Sequence, residues 1–187
     1  MNAPILAGGF ADAARDGAHA FRAILTAMAR PGTIVTLTGV HGPAPISPAA
    51  AAVLLTLCDR TTPLHLAAGY DNPALRDWVA FHCAAPIVPA DQAAFAIGNW
   101  AALQPLNRFA IGTPEYPDRA ATLILDGHDF AGPQSRLTGP GIKDHAGLAL
   151  PNPLAFAANN RLFPLGWDAI LTGGDRLAAI PRSTEIH

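Results

Sequence analysis

A chain of 187 residues with 50% apolar side chains, 14% charged ones and a formal net charge of −2 has the material for one hydrophobic core and little of what keeps chains disordered. The near-neutral charge and the lack of any basic run exclude nucleic acid as a main partner, and no apolar stretch approaches a transmembrane span. Met1 to Asp16 has no basic start, only a short apolar patch and an early Asp12, so it does not read as a signal peptide and the expected location is the cytoplasm.

In chain order, Phe21, Ile24, Leu25 and Met28 follow the i, i+3, i+4, i+7 spacing of one helix face, and Pro31-Gly32 stops that helix. Thr33 to Leu37 reads as a strand by its β-branched content. Ser47-Pro48 is a cap followed by proline at the first helical position, opening a helix to Leu57. Leu64 to Leu66 is a short strand. Asn72-Pro73 repeats the cap-plus-proline signal and opens a helix to His82. Ile87-Val88 and Ala94 to Ile97 are strand candidates, and Asn99 is placed to cap a short helix ending before Gly112. Ala121 to Leu125 is a strong strand, followed by the turn Asp126-Gly127-His128-Asp129. Ser135 to Thr138 leads into the tight Gly139-Pro140-Gly141 turn. Asn152-Pro153 starts a helix through Asn159. Asp168 to Leu171 and Leu177 to Ile180 flank Gly173-Gly174-Asp175 as a hairpin. The pattern predicts a single α/β domain over 1–187, a three-layer α/β/α arrangement with helices on both faces of a mixed sheet.

The common nucleotide-binding, zinc-protease and hydrolase motifs are missing. Gly112-Thr113-Pro114-Glu115-Tyr116-Pro117-Asp118-Arg119 is the densest polar cluster, and its prolines stiffen it. Glu115 and Asp118 can act as a general acid/base pair. The plainer reading, preferred because no nucleophile or metal ligand is attached, pairs one of them with Arg119 to pin the loop. The N–H groups of Gly141 and Ile142, after Gly139, can face an anion, or can belong to an ordinary turn. Arg22 and Arg182 can grip a phosphate bidentately or a partner's carboxylates. Asp168, at a strand start, reads as a turn residue more readily than as a ligand. Asp126, His128, Asp129, Asp144 and His145 are scattered metal-ligand types whose composition solvated turns share, and no metal is expected. Cys58 and Cys83 lack metal or redox spacing and read as small buried residues, and His82 beside Cys83 adds no chelating pair. Lys143 is the only lysine, so Schiff-base chemistry has no other amine.

Seven blocks, taken in order, resemble the H subunit of the bacterial carbon–phosphorus lyase system, the PhnH family. They are His19-Ala20-Phe21-Arg22 through Met28 to Pro31-Gly32; Val53 to Asp59 with Thr62-Pro63; Phe81 to Pro86; Gly112 to Arg119; Leu137 to Ile142; Phe163 to Gly166; and Ala179 to Arg182. Each is weak alone, and their joint order is specific. Cys83 stands where the family pattern has threonine, and Ala120 where glycine is frequent. Residues 99–108 and 126–134 carry no family motif. The resemblance implies a fold like that of pyridoxal-phosphate-dependent transferases without the cofactor site, and no cofactor. It implies an accessory subunit, not catalytic alone, working with the G, I and J subunits to make ribose 1-phosphonate 5-triphosphate from ATP and a phosphonate, and a homodimer when isolated. The expected ligand or partner residues are Arg22, Arg119, Gly139, Gly141, Ile142 and Arg182. The alternative is an independent phosphate- or phosphonate-binding transferase using Arg22, Arg119, Arg182 and Glu115.

Overall fold

The computed structural model describes residues 7–187, so the first six residues of the segment examined above for a leader lie outside it. Helix α1 spans Ala13–Ala29, with Asp12 as its cap: the Asp12 carboxylate accepts the Arg15 N–H at 3.1 Å. Strand β1 is Val35–Thr36, shorter than its β-branched run suggested. Helix α2, Pro48–Leu57, and helix α3, Pro73–His82, start at the expected caps, with the Ser47 and Asn72 side chains each accepting a backbone N–H three residues on. Strand β2 is Leu64–Leu66 and β3 is Phe95–Gly98, while Ile87 makes a single bridge to Leu64. The helix expected after Asn99 does not form. Asn99 accepts the Ala102 N–H at 2.8 Å, and the chain continues through turns to a three-residue 3₁₀ segment at Leu106–Arg108. Pro105, which cannot donate a backbone bond, interrupts any longer helix there.

Strand β4 is Thr122–Asp126, β5 Gln134–Thr138 and β6 Ala146–Ala149. Helix α4 is Pro153–Asn160, β7 is Asp168–Gly173, β8 is Arg176–Ile180 and β9 is Glu185–Ile186. The main sheet has the order β1-β8-β7-β4-β3-β2. Its β2, β3, β4 and β7 run parallel, whereas the β7–β8 hairpin and the β8–β1 pair are antiparallel. The expected mixed sheet and hairpin are therefore present. A second sheet, β6-β5-β9, was not expected: β6 is a short alanine- and glycine-bearing segment and β9 has two residues, too little for a strand signal.

Alternation along the strands separates two cores. Leu64, Leu66, Ile97, Ile124, Ile170, Leu177 and Ala179 face α1, α2 and α3. Ala96, Leu123, Leu125, Ala169, Leu171, Ala178 and Ile180 face the other way, toward Phe156 of α4, Leu137 and Leu148 of the small sheet, and Leu103 and Phe109 of the β3–β4 connection. The second face is thus covered by one helix, a small sheet and a loop, not by helices alone. Cys58 and Cys83, the residues that end α2 and α3, are both buried, and burial pushes the Cys83 thiol up to about 11.

Helix α1 departs from its predicted stripe. Its buried residues are Ala20, Ile24 and Ala27, whereas Phe21 is 50% and Leu25 54% exposed. The helix is rotated so that small residues meet α2, whose Ala49, Ala50, Ala51 and Ala52 are fully buried. Close helix approach at alanines gives more contact than standing off on Phe21 would. Ile24→Ala is expected to cost about 2–4 kcal/mol by leaving a cavity. Leu25→Ser should stay within about 0.5 kcal/mol. Chemical denaturation of the two variants checks both, and equal losses would return Leu25 to the core.

Candidate functional site

Arg182 closes the chain onto the amino ends of the parallel strands. Its guanidinium grips Asp168, the first residue of β7, with Nε–H and Nη2–H donating to the two carboxylate oxygens at 3.2 and 2.6 Å, and its own backbone N–H donates to the same carboxylate at 2.8 Å. Nη1–H donates to the Pro117 carbonyl. Both side chains of the pair are largely buried. Asp168 is therefore the fixed partner of an arginine, where its sequence context suggested a turn. Arg182's fork is filled by the chain itself, which leaves it aimed at no external phosphate.

The loop that Arg182 holds is the expected polar cluster. Thr113 and Tyr116 exchange backbone bonds at 3.2 and 3.1 Å, Pro117–Arg119 forms a 3₁₀ turn, and Gly112, at φ +80°, lies against the Pro117 backbone where a side chain could not fit. Arg119 does not pair with Glu115 or Asp118. Its guanidinium lies over the Tyr116 ring, 4.0 Å from the centroid, and all four side chains are exposed. The stiff loop thus displays two acids, a tyrosine and an arginine to solvent.

Arg22 is exposed on α1, and no ion pair joins it to any described residue. The Gly139-Pro140-Gly141 turn packs on the end of α1: Gly141, at φ +83°, abuts the Ala29 carbonyl, and Gly139 abuts the Ser183 and Thr184 backbone. The Ile142 N–H is used within the turn, donating to the Gly139 carbonyl at 3.1 Å, so it does not face an anion. Lys143 is exposed between β5 and β6, which gives pyridoxal phosphate no buried amine to bond.

At the opposite edge of the sheet, the group read in the sequence as a solvated turn begins with a buried hub. Asp126, the last residue of β4, is 3% exposed. Its carboxylate accepts the Ser47 N–H at 3.0 Å, the Tyr70 hydroxyl at 3.4 Å and the Thr172 hydroxyl at 2.9 Å. Burial and the neighbouring Asp126 charge together raise the Tyr70 hydroxyl well above the ordinary tyrosine value, so it stays a donor. An acid directly after the apolar run Leu123-Ile124-Leu125 is the signal that could have found it, since a buried acid must be paired.

Beside Asp126, where β3 and β4 end, lies a cleft of about 430 Å³ lined by residues including Asn99, Trp100, Gly127, His128, Asp129 and Leu150. Open α/β sheets bind ligands outside the carboxyl ends of parallel strands. His128 Nε2 lies 3.0 Å from the Ala149 carbonyl and must carry the hydrogen, because a carbonyl only accepts. Burial pushes this imidazole below its ordinary value. The Ala149 bond and Asp129 oppose the shift, and Arg176 adds to it. Among the described residues no group of three or more histidine, cysteine, aspartate or glutamate side chains converges as a metal site.

A family model described as bacterial phosphonate metabolism protein (PhnH) matches residues 8–187. The chain belongs to that family. It is 37% identical to alpha-D-ribose 1-methylphosphonate 5-triphosphate synthase subunit PhnH of Rhizobium meliloti (strain 1021), across 98% of this chain and 96% of that protein. It is 34% identical to the putative C-P lyase subunit protein HtxG of Stutzerimonas stutzeri, across 90% of this chain and 84% of that one. The resemblance to this family read in the sequence is thus borne out.

Asp168→Asn should cost about 3 kcal/mol, because it strands a largely buried guanidinium. Thermal melts of Asp168→Asn, Arg182→Met and the double variant check this, and additive losses would deny the coupling. His128 binds protons less readily folded than unfolded, so its contribution to stability is present above the ordinary imidazole value and is lost as pH falls through it. The wild type should therefore lose more Tm than His128→Gln between pH ~8 and ~5. Parallel curves would overturn the assignment.

Proposed function

We propose that this chain is an accessory subunit, not catalytic alone, of a carbon–phosphorus lyase core assembly that breaks down organic phosphonates. The observation that carries the reading is the alignment over almost the whole of both chains with a protein whose name makes it a synthase subunit. A second relative is also named as a subunit, of C-P lyase. The partners in this reading are the G, I and J subunits, and the work of the assembly is the joining of ATP and a phosphonate to give ribose 1-phosphonate 5-triphosphate. The isolated chain is a cytoplasmic homodimer in the same reading. Among the described residues no helix is long and apolar enough to cross a membrane. The fold belongs with the pyridoxal-phosphate-dependent transferases without their cofactor site, a reading that the parallel strands joined to an antiparallel hairpin support.

The structure favours docking over catalysis for the 112–119 loop. Arg182 is spent on Asp168 and presents no open fork to phosphate, Arg119 lies over Tyr116 with its N–H edge in solvent, and the loop's shape is held by its own backbone bonds. Arg22, the Gly139–Gly141 turn and Ile142 give a further surface in this reading. The alternative, an independent transferase using Arg22, Arg119, Arg182 and Glu115, predicts turnover by the purified chain.

Co-expression with the G, I and J subunits, with only this chain tagged, should return a stoichiometric complex. Recovery of the tagged chain alone would overturn the subunit reading. Arg119→Ala should reduce recovery of the partners several-fold, and an unchanged pull-down with an unchanged melt would remove the loop from the interface. Glu115→Gln should leave growth on a phosphonate intact, whereas loss of growth with the complex still assembled would favour the transferase.

A further inference from the structure

The cleft at the carboxyl edge of the sheet lies outside every residue that the family blocks contain, and its lining has a chemical character of its own. We propose that it binds the neutral, hydroxyl-bearing ring of a sugar, free or as part of a nucleoside. Three observations converge on that class.

The first is charge. Asp126 and Asp129 line the cleft together with the His128 imidazole, and no lysine or arginine is among the described lining residues, so an anionic group such as phosphate meets like charge there. A cation is disfavoured as well. Arg176 sets a positive charge beside Asp129, its guanidinium donating to the Asp129 carbonyl at 2.7 Å and lying 5.0 Å from the Phe130 ring, and three donors already occupy most of the Asp126 lone pairs. A neutral ligand remains.

The second is hydrogen-bond type. His128 gives its Nε2 hydrogen to the Ala149 carbonyl, and burial keeps the ring neutral, so Nδ1 is left as an acceptor. The Asp129 carboxylate accepts one backbone N–H, from Ala131 at 2.9 Å, and has further acceptor capacity. Asn99 gives its oxygen to the Ala102 N–H, leaving the amide hydrogens. The cleft thus offers both acceptors and donors, which suits a ligand whose hydroxyls do both.

The third is the aromatic wall. Trp100 lines the cleft and is stacked on Phe156, with ring centroids 6.0 Å apart and planes 18° apart, so its plane is held before a ligand arrives. The C–H face of a sugar is apolar and flat enough to lie on such a ring. The cleft's about 430 Å³ falls in the range of small-molecule sites.

This inference deepens the reading above and rests on it only for the choice of ribose, the sugar in the Rhizobium relative's name, whose phosphonate and triphosphate groups lie outside the cleft in this proposal. Saturation-transfer NMR on the full chain, with methyl β-D-ribofuranoside, adenosine, 2′,3′-dideoxyadenosine, adenine and inorganic triphosphate as probes, tests it. The riboside and adenosine should both give saturable signals if the ring alone suffices, or adenosine alone if a nucleoside is needed. Dideoxyadenosine should bind at least ~10-fold more weakly, the loss expected when a site built for hydroxyls meets a ligand without them. Trp100→Ala should abolish the signal, and Ala131→Trp, an exposed rim position, should block it without touching the core. Binding of adenine or dideoxyadenosine equal to that of adenosine would overturn the proposal, as would displacement by triphosphate, survival of binding in Ala131→Trp, or no saturable signal. Loss of ligand binding with the partner complex still recovered counts against this site alone; loss of the complex with binding retained counts against the subunit reading alone.

Discussion

The bonds to the Asp126 carboxylate hold together elements that the chain order keeps far apart. Ser47 caps α2, Tyr70 follows β2, Thr172 is the residue before the end of β7, and Asp126 itself ends β4. A buried carboxylate is costly unless its lone pairs are filled, so the four segments are constrained to arrive together. The donor from Ser47 lies at the start of a helix, where exposed N–H groups favour negative charge. Nearby, the Ala49 N–H donates to the Gly174 carbonyl at 2.9 Å and the Leu37 N–H to the Asp175 carbonyl at 2.7 Å, tying the same helix and β1 to the β7–β8 turn. The carboxyl edge is therefore rigid where the cleft opens.

The amino edge is organised by the opposite sign. There an arginine is the hub, with Asp168 and Pro117 as its acceptors, and it secures a loop that displays its side chains outward. One edge offers a recess and the other a raised, stiff surface. The loop and the cleft can be altered separately, because the sheet lies between them.

Local signals made most of the fold legible. Ser47-Pro48, Asn72-Pro73 and Asn152-Pro153 start α2, α3 and α4 where caps require, because capping is settled by a few neighbouring atoms. The β7–β8 hairpin was marked by its glycine pair. Non-local features were not legible. The rotation of α1 follows from which face of α2 it meets, and periodicity along α1 alone cannot report that. β6 and β9 exist because β5 has partners in space. At the site, Arg182, Arg119 and Asp168 were visible as residue types, but their pairing depended on which strand ends lie side by side. Asp126 was hidden by company: within Asp126-Gly127-His128-Asp129 it read as a solvated turn, although β4 runs through it into the interior.

The alanine run of α2 sets where this chain can vary. Ala49 through Ala52 and the following Val53 and Leu54 are buried, so this stretch of the helix has no free face, while Leu55, Thr56 and Leu57 at its end are partly exposed. A methyl group is the largest side chain its neighbours admit at four successive positions, and any enlargement must displace α1 or the sheet. Polar substitution there places a hydrogen-bonding group where water does not reach. The outer face of α1, by contrast, carries Phe21 and Leu25 without needing them for packing against α2. Within one pair of helices, then, drift in sequence is closed off along the plainest residues and open along the most conspicuous ones.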